Sequence, residues 1–481
     1  MAVMGKTKSV LTLSGRVINE VISFMIFFVF DILDFLLCFV YKLADFLIEA
    51  EWKPCYCSSG KEAIPGSGKI LVSEQGESKI LCVSTSKLQL EEISDTLHTR
   101  PFLVSQVSNL IVTALKRLMF LEKTLVQSCD QEIKQGSPPS VFRVNSPVIE
   151  ILQRKVGRKQ LHPIPRWSDC DCNVCISWTS SSKETLYVRA EGPKGDNAQE
   201  DVLFIHGFIS TSKFWTETLF PNFSSATKST YRMFAIDLLG FGRSPKPTDC
   251  LYTLKDHLDM IERSVLEPNK VKSFHIVAHS LGCILALALT EKHPGCVKSL
   301  TLLAPPYYPM PKDIANPSLY TMKKLAPRLV WPPIKLGAAM ACYYEHISRT
   351  MCLVLCKNHR LWDFLTKLVT RNRIRTYLVE GFFVHTHNAA WHTLHNIICG
   401  TASKVEGYMD GVQDQIKCHV NIFHGEYDDT VPVECSYNVQ KRIPRARVKV
   451  IKKKDHLTIV VGRQQGFASD LEEIWRNASR S

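Results

Sequence analysis

The feature that most constrains the fold is a short apolar run that leads directly into a tight turn carrying a serine. Residues 274–279 form the run, and Ser280 is followed by an apolar stretch long enough for a helix. A short apolar run bounded by a turn is typical of a strand buried on both faces. Small residues two positions before and after the serine, here Ala278 and Gly282, are typical of a nucleophile elbow, the turn that exposes a serine above a sheet. Alanine replaces the usual first glycine, and we expect its methyl group to fit.

Similar β-branched runs, separated by helical stretches, occur on both sides of this turn. They predict strands at Val202–His206, Met233–Asp237, Phe274–His279, Val297–Ala304, Val420–His424 and Val448–Ile451, with an antiparallel lead-in at Thr185–Arg189. Near-continuous apolar strands alternating with helices are typical of a mostly parallel sheet. We therefore predict an α/β protein.

A hydroxyl nucleophile needs a base, and the base needs a carboxylate to orient it. In folds that contain a nucleophile elbow, the catalytic residues occur along the chain in the order serine, acid, histidine. Asp428 lies in the loop after the fifth predicted parallel strand with the spacing G-x-x-D-x-x-x-P, and Asp429 is its rival. His456 alone among the sixteen histidines follows that strand. This order predicts the α/β-hydrolase fold and a catalytic triad of Ser280, Asp428 and His456.

Acyl transfer also needs donors for the oxyanion that forms on the substrate carbonyl. The usual donors are the amide after the nucleophile and one from an early strand-to-helix loop. We assign the first to Leu281 and the second to the loop His206-Gly207-Phe208, with Phe208 as the donor. In the loop 237–244, we predict that Asp237 and Arg243 stabilise the local structure and do not take part in catalysis.

The N-terminus is an apolar helix with the character of a targeting segment. Basic residues precede the apolar run 21–48, and acidic residues follow it. This asymmetry favours a signal peptide or anchor that places the rest of the chain outside the cytosol. A segment ending near Phe30 avoids most of the charges at bilayer depth, and an amphipathic helix docked on the enzyme is the alternative. Cys55, just beyond the run, is a candidate for lipidation.

The remaining chain divides by composition. An amphipathic stripe at 103–121 predicts a helix, and 135–140 is rich in Pro, Gly and Ser. The predicted segments are 1–50 (signal or anchor), 51–160 (helical extension and linker), 161–304 (first part of the hydrolase core), 305–415 (helical lid insertion) and 416–481 (second part of the core).

The predicted lid carries much of the positive charge of the chain. Its residues 305–400 include twelve Lys and Arg against four Asp and Glu, an excess of eight out of thirteen for the whole chain. Aromatic residues are mixed with these charges, which suits an amphiphile with an anionic head, or an anionic membrane or wall surface. A solvated basic helix face is the alternative. We predict a lipidic acyl-ester substrate and no nucleic-acid partner. The sequence does not indicate an oligomeric state.

Two groups of potential metal ligands stand out. Cys170, Cys172 and Cys175 offer three thiols, but no second pair nearby in the sequence closes a tetrahedron. The run 385–395 contains four histidines spaced H-x-H-x₄-H-x₂-H without a carboxylate. We expect structural or disulfide roles for the cysteines, no metal site and no cofactor.

Several strings together resemble the BODYGUARD group of plant α/β-hydrolases. They are Glu51-Trp52-Lys53-Pro54-Cys55-Tyr56-Cys57, Asp169-Cys170-Asp171-Cys172-Asn173-Val174-Cys175, Ala278-His279-Ser280-Leu281-Gly282 and His385-Thr386-His387-Asn388-Ala389-Ala390-Trp391-His392. The resemblance implies an extracellular, cell-wall-associated hydrolase or acyltransferase, described as a lysophospholipase, in cuticle, cutin or suberin formation.

The sequence thus predicts a serine esterase or acyltransferase with a lipidic substrate. Two other classes also fit an intact triad. One is a ligand receptor that retains the triad with slow turnover, and the other is a wall or membrane scaffold.

Overall fold

The computed structural model describes residues 2–49, 69–74, 77–82, 93–98, 166–180, 184–193, 200–248, 250–373, 376–415 and 418–479. Two compact units divide the chain, one comprising residues 1–27, 85–97 and 165–481, the other residues 28–84 and 98–164. Cys55, the stripe at 103–121 and the linker at 135–140 lie outside the described residues.

The strands are β1 (Lys69–Glu74), β2 (Glu77–Cys82), β3 (Val188–Glu191), β4 (Glu200–Ile205), β5 (Tyr231–Ile236), β6 (Phe274–His279), β7 (Val297–Leu303), β8 (His419–Gly425) and β9 (Arg447–Ile451). A 7-stranded sheet has the order β3-β5-β4-β6-β7-β8-β9. In it β3 is antiparallel to β5, and the other neighbours are parallel. The mostly parallel sheet and its antiparallel lead-in are confirmed, with strand ends that differ from the predicted ones by at most three residues.

The helices are α1 (Ala2–Glu49), α2 (Asn173–Ser180), α3 (Lys213–Thr216), α4 (Ser225–Thr230), α5 (Leu254–Ile261), α6 (Leu281–Lys292), α7 (Pro317–Leu325), α8 (Pro333–Tyr343), α9 (Glu345–Leu355), α10 (His359–Thr370), α11 (Thr376–Phe383), α12 (His387–Thr393), α13 (Val405–Gln415), α14 (Glu434–Arg442) and α15 (Gln464–Ser479). Helices α7 to α13 lie between β7 and β8, so the insertion predicted at 305–415 is helical. Its last helix, α13, shares the apolar cluster of α6 and so packs into the core.

Strand β4 shows how the core is divided. All six of its residues are buried, and they alternate between the two faces of the sheet. Leu203 and Ile205 belong to the apolar cluster of α5 and α6, whereas Val202 and Phe204 belong to that of α3 and α15. The Phe204 ring lies 5.6 Å from the ring of Trp215. Helices therefore cover the sheet on both faces, which explains the continuous apolar runs in the sequence.

Helix α6 begins unusually close to the sheet. Its first ten residues are all buried. A Cβ atom added to Gly282 would lie 2.7 Å from the carbonyl oxygen of His206 and 2.8 Å from that of Ile205. Because carbon and oxygen cannot approach so closely, only glycine at this position lets α6 start against β4.

Helix α1 runs without a break from Ala2 to Glu49. Part of it contacts the helical insertion between β7 and β8. The Ser23 hydroxyl oxygen accepts a hydrogen bond from the Val330 amide (3.0 Å). The Phe27 carbonyl accepts bonds from Arg328 (3.3 Å) and from the Tyr344 hydroxyl (3.2 Å).

Most large apolar side chains of α1 from residue 18 onward are exposed. They are Ile18, Val21, Ile22, Phe24, Met25, Phe28, Val29, Ile32, Leu33, Leu36, Val40, Leu43, Leu47 and Ile48. By length and composition, residues 18–49 suit a membrane-crossing helix, a test that signal sequences also pass. Such a surface needs an apolar cover.

Strands β1 and β2 form an antiparallel hairpin inside the segment 51–160, where we predicted a helical extension. The reason is local. Both strands carry β-branched residues (Ile70, Val72 and Ile80), and two residues including Gly76 connect them, which is a typical hairpin signal.

A buried carboxylate holds the start of β4. Glu200 accepts hydrogen bonds from His275 Nε2 (2.8 Å), from the Ser479 hydroxyl (2.7 Å) and from the Lys298 ammonium. Burial alone would raise the pKa of Glu200, but these bonds lower it to about 2. The ionised form is therefore favoured in the folded state.

We expect Glu200→Gln to lower the free energy of unfolding at pH 7 by about 2–3 kcal/mol. Because the folded-state pKa lies below the ordinary value of 4.5, this contribution is complete above that pH and is lost as the pH falls towards 2. Urea unfolding of both proteins at pH 7 and pH 3 checks this. The exposed Glu217→Gln serves as control. An equal loss at both pH values would contradict the prediction.

Candidate active site

Ser280 lies at the turn between β6 and α6 in a strained conformation. Its backbone has φ 52° and ψ −120°, a region that residues with a side chain rarely adopt. The Ser280 amide donates to the Leu303 carbonyl (2.8 Å), and the Ser280 carbonyl accepts from the Cys283 amide (2.8 Å). These bonds hold the turn between β7 and the helix. The conformation is the one that the elbow prediction requires.

The alanine that replaces the usual glycine is accommodated. Ala278 is fully buried, and in the sheet it pairs with Ile205 of β4 and with Leu302 of β7. Its methyl group belongs to the apolar cluster around α6. The close approach of helix and sheet depends instead on Gly282, the small residue on the other side of the serine.

The structure brings together His456 and Asp428. His456 Nδ1 lies 2.7 Å from Asp428 Oδ2, so Nδ1–H donates to the carboxylate. The other carboxylate oxygen accepts from the amides of Thr430 (2.9 Å) and Val431 (2.8 Å). Asp429 is exposed. The geometry thus selects Asp428 over its neighbour as the partner of the histidine.

Several donors keep Asp428 ionised. Burial would raise its pKa, but hydrogen bonds from His424, His456 and the Val431 amide hold it well below the usual value. His424 Nε2 donates to the Val431 carbonyl at 2.8 Å and lies 3.4 Å from Asp428 Oδ2. A permanent negative charge beside His456 stabilises the imidazolium that forms when this ring accepts a proton.

His279, next to the serine, holds the loop that carries His456. Its Nε2–H donates to the His456 carbonyl (3.0 Å), and the two rings lie 4.7 Å apart. Phe214 stacks on the other side at 5.1 Å. Burial, followed by the neighbouring His456, lowers the pKa of His279 to about 3, so its ring is neutral. The sequence did not reveal this positioning residue, because a bond to a backbone carbonyl leaves no motif.

Among the hydrogen bonds of the described residues, none joins the Ser280 hydroxyl to His456. Gly207 shows how near the oxyanion loop lies to the serine, because a Cβ added to it would lie 3.1 Å from Ser280 Cβ. His206 fixes that loop. Its Nδ1–H donates to the Gly207 carbonyl (2.7 Å), and its Nε2 accepts from the Leu238 amide (2.9 Å).

The two predicted oxyanion donors are available in different ways. Leu281 is the first residue of α6, where amides have no intrahelical partner. Phe208 follows Gly207, and its ring packs on Phe241 at 5.9 Å. Leu281 thus lies at the elbow itself, and Phe208 directly follows Gly207, the loop residue near Ser280.

The loop after β5 holds structure, as predicted. Asp237 accepts from the amides of Ser212 (2.6 Å) and Arg243 (2.8 Å). The Arg243 guanidinium donates to the Tyr187 hydroxyl (2.9 Å). Both charged side chains are thus engaged in loop contacts.

The four histidines of the run 385–395 do not converge. His392 lies 3.3 Å from the Cys250 carbonyl, and His395 bonds to the Thr96 hydroxyl (2.8 Å). Within the described residues, two groups that combine Cys and His could hold a metal ion, and one of them includes His385 of this run. They are Cys170, Cys172, Cys175 and His359, and Cys352, Cys356 and His385.

Comparison with known proteins agrees with this architecture. The family model for the alpha/beta hydrolase fold matches residues 202–331. Probable lysophospholipase BODYGUARD 3 of Arabidopsis thaliana is 57% identical over 500 residues, covering 100% of both chains. Probable lysophospholipase BODYGUARD 1 of the same plant is 55% identical, covering 96% of this chain and 97% of its own. A solved enol-lactonase from Burkholderia xenovorans LB400 is 17% identical, with a TM-score of 0.43 over 60% of this chain and 96% of its own.

The contrast between two adjacent carboxylates provides a test. Asp428→Asn should slow the reaction of Ser280 with a fluorophosphonate probe by on the order of 10⁴-fold, because the amide no longer orients and charge-balances His456. Asp429→Asn should react at the wild-type rate. The measurement is the rate of probe labelling for the three proteins. Equal slowing by both variants would rule out this assignment of the acid.

Proposed function

The chain belongs to the BODYGUARD family of α/β-hydrolases, and on this premise we propose that it is a serine hydrolase acting on acyl esters of lipidic substrates. The observation that carries the proposal is the 2.7 Å bond between Asp428 and His456. It lies near the strained turn of Ser280, because His279, the residue before the serine, bonds to the His456 carbonyl. In this role Ser280 is the nucleophile, His456 the general base and Asp428 the residue that orients it.

The chemistry follows from the tautomer of His456. Since Nδ1–H donates to Asp428, Nε2 is the free basic nitrogen. It takes the Ser280 proton while Oγ attacks the ester carbonyl, and the amides of Phe208 and Leu281 hold the oxyanion. The leaving alcohol takes the proton back from His456. Water then repeats the sequence on the acyl-enzyme and releases the acid, and an alcohol in place of water makes the same reaction a transfer.

The lid supports an amphiphilic substrate. Helix α10 has no buried residue, and its apolar side chains Leu361, Phe364 and Leu368 are exposed. Residues three and four apart lie on one face of a helix, so Leu361, Phe364 and Leu368 form an apolar stripe. Arg360 and Lys367 lie on the same helix. Acyl chains suit the stripe and a phosphate head group suits the basic residues.

The names of the relatives point in the same direction. Those described above are called probable lysophospholipases, and a lysophospholipid combines one acyl ester with a phosphate head group. We include in the proposal the extracellular role in cuticle, cutin or suberin formation that the family resemblance implies.

An acyl-ester panel tests this function. We expect the wild type to prefer lysophosphatidylglycerol over a long-chain monoacylglycerol, and both over a short-chain p-nitrophenyl ester. Ser280→Ala should lower kcat by on the order of 10⁶. The exposed Ser225→Ala is the matched control and should keep full activity.

The outcomes separate the parts of the proposal. Equal turnover by wild type and Ser280→Ala would overturn the serine mechanism and leave the receptor or scaffold role. Preference for the neutral ester would overturn the anionic head group alone.

We further propose that α1 is a retained membrane anchor with the catalytic unit outside the cytosol. Basic residues before the apolar run and acidic residues after it support this orientation.

Protease protection tests this topology. In sealed microsomes the catalytic unit should resist added protease, and detergent should make it fully sensitive. If the cytosolic tail before the apolar run is too short for the added protease to cut, the protected chain should also keep an N-terminal epitope. Complete digestion without detergent would refute secretion, and loss of the first 30 residues would refute the anchor.

A further inference from the structure

Four potential metal ligands from two distant parts of the chain meet in one place. Cys170 and Cys172 precede α2, Cys175 lies in its first turn, and His359 is the first residue of α10. The three sulfur atoms and a ring nitrogen of His359 all lie within 4.8 Å of one another. Cys172 and His359 are 187 residues apart in the sequence.

The spacing fits a tetrahedral ion. His359 Nε2 lies 3.5 Å from Cys172 Sγ and 3.5 Å from Cys175 Sγ. With zinc–sulfur bonds of about 2.3 Å and zinc–nitrogen bonds of about 2.0–2.1 Å, the sulfur–nitrogen edge of a tetrahedron is about 3.6 Å. These two sulfur–nitrogen distances therefore need almost no adjustment to accept the ion.

We propose that Cys170, Cys172, Cys175 and His359 form a structural zinc site. Three thiolates and one imidazole are a common zinc set, and four protein ligands leave no position for water or substrate. The ion would thus take no part in ester chemistry. The sequence alone did not indicate this site, because the fourth ligand lies in the lid and only folding brings it to the thiols.

The site would fasten the lid to the segment before the sheet. Other contacts already join these two parts, since Arg349 donates to the Ser168 hydroxyl (3.1 Å) and the Lys357 ammonium to the Trp167 carbonyl. These bonds preorganise the ligands. Metal coordination is much stronger than a surface hydrogen bond, so zinc would fix the start of α10 against α2.

Two other fates of the thiols make different predictions. Oxidation would join two of them in a disulfide with a sulfur–sulfur distance of about 2.05 Å. Hydrogen bonding of thiols to the imidazole would leave the group without metal. Both outcomes are measurable in the purified protein.

A second group of potential metal ligands affects how the zinc measurement must be designed. Cys352, Cys356 and His385 also converge within 4.8 Å, and the buried His387 interacts with Cys352. Total zinc therefore does not identify the site. The informative quantity is the difference in zinc content between the wild type and each variant.

The experiment uses the full chain, purified in detergent through a tag that binds no metal, with zinc per chain measured by mass spectrometry. Cys172→Ser and His359→Ala should each lower the zinc content by one equivalent. Cys296→Ser, a half-buried free cysteine outside both groups, should not change it.

Cobalt substitution of the wild type avoids dependence on the folding of the variants. A tetrahedral Co²⁺ spectrum with a charge-transfer band of three-thiolate intensity is expected, whereas the second group supplies only two thiolates. Equal zinc in all four proteins would overturn the proposal. So would a cobalt spectrum without three-thiolate intensity, or a disulfide among the three cysteines in protein alkylated before reduction.

Discussion

The close contact between α6 and β4 is the constraint on which the site depends. Because Gly282 has no side chain, the helix starts against the carbonyls of Ile205 and His206, and the chain must turn within one residue. That residue is Ser280, which takes the strain in its backbone. Packing on both faces of the sheet over-determines this turn, so a conformation that costs free energy by itself persists. The loops that carry Gly207 and His456 therefore approach a serine whose position is already fixed by this packing.

Sequence patterns predicted the parts of this architecture that are local or ordered along the chain. Apolar runs identified the strands, since a strand buried on both faces has no polar positions. Chain order predicted Asp428 and His456 as a pair, since each follows its own strand, and the structure joins their side chains by a hydrogen bond. The sequence could not reveal His279 or the position of His359, because a hydrogen bond to a main-chain carbonyl and a contact between distant segments leave no periodic signal. The hairpin at 69–82 was missed because the prediction for its segment rested on one helical stripe further along.

The helical insertion and α1 share one feature, an apolar surface that is exposed to water. Each exposes apolar side chains that water solvates poorly, Phe364 on α10 and Phe24 on α1 among them. In the lid these side chains are mixed with basic residues, whereas from Val21 to Phe30 the helix α1 carries no charge. Ser23 and Phe27 bond to residues of the helical insertion, so this part of α1 and the insertion pack against each other.

His279 bonds to the main chain of His456, not to its side chain. A substitution at His456 would therefore remove the bond to Asp428 and the ring contact with His279 but would leave this main-chain bond in place. The path of the loop beside Ser280 is thus held in part by a contact that does not involve the His456 side chain.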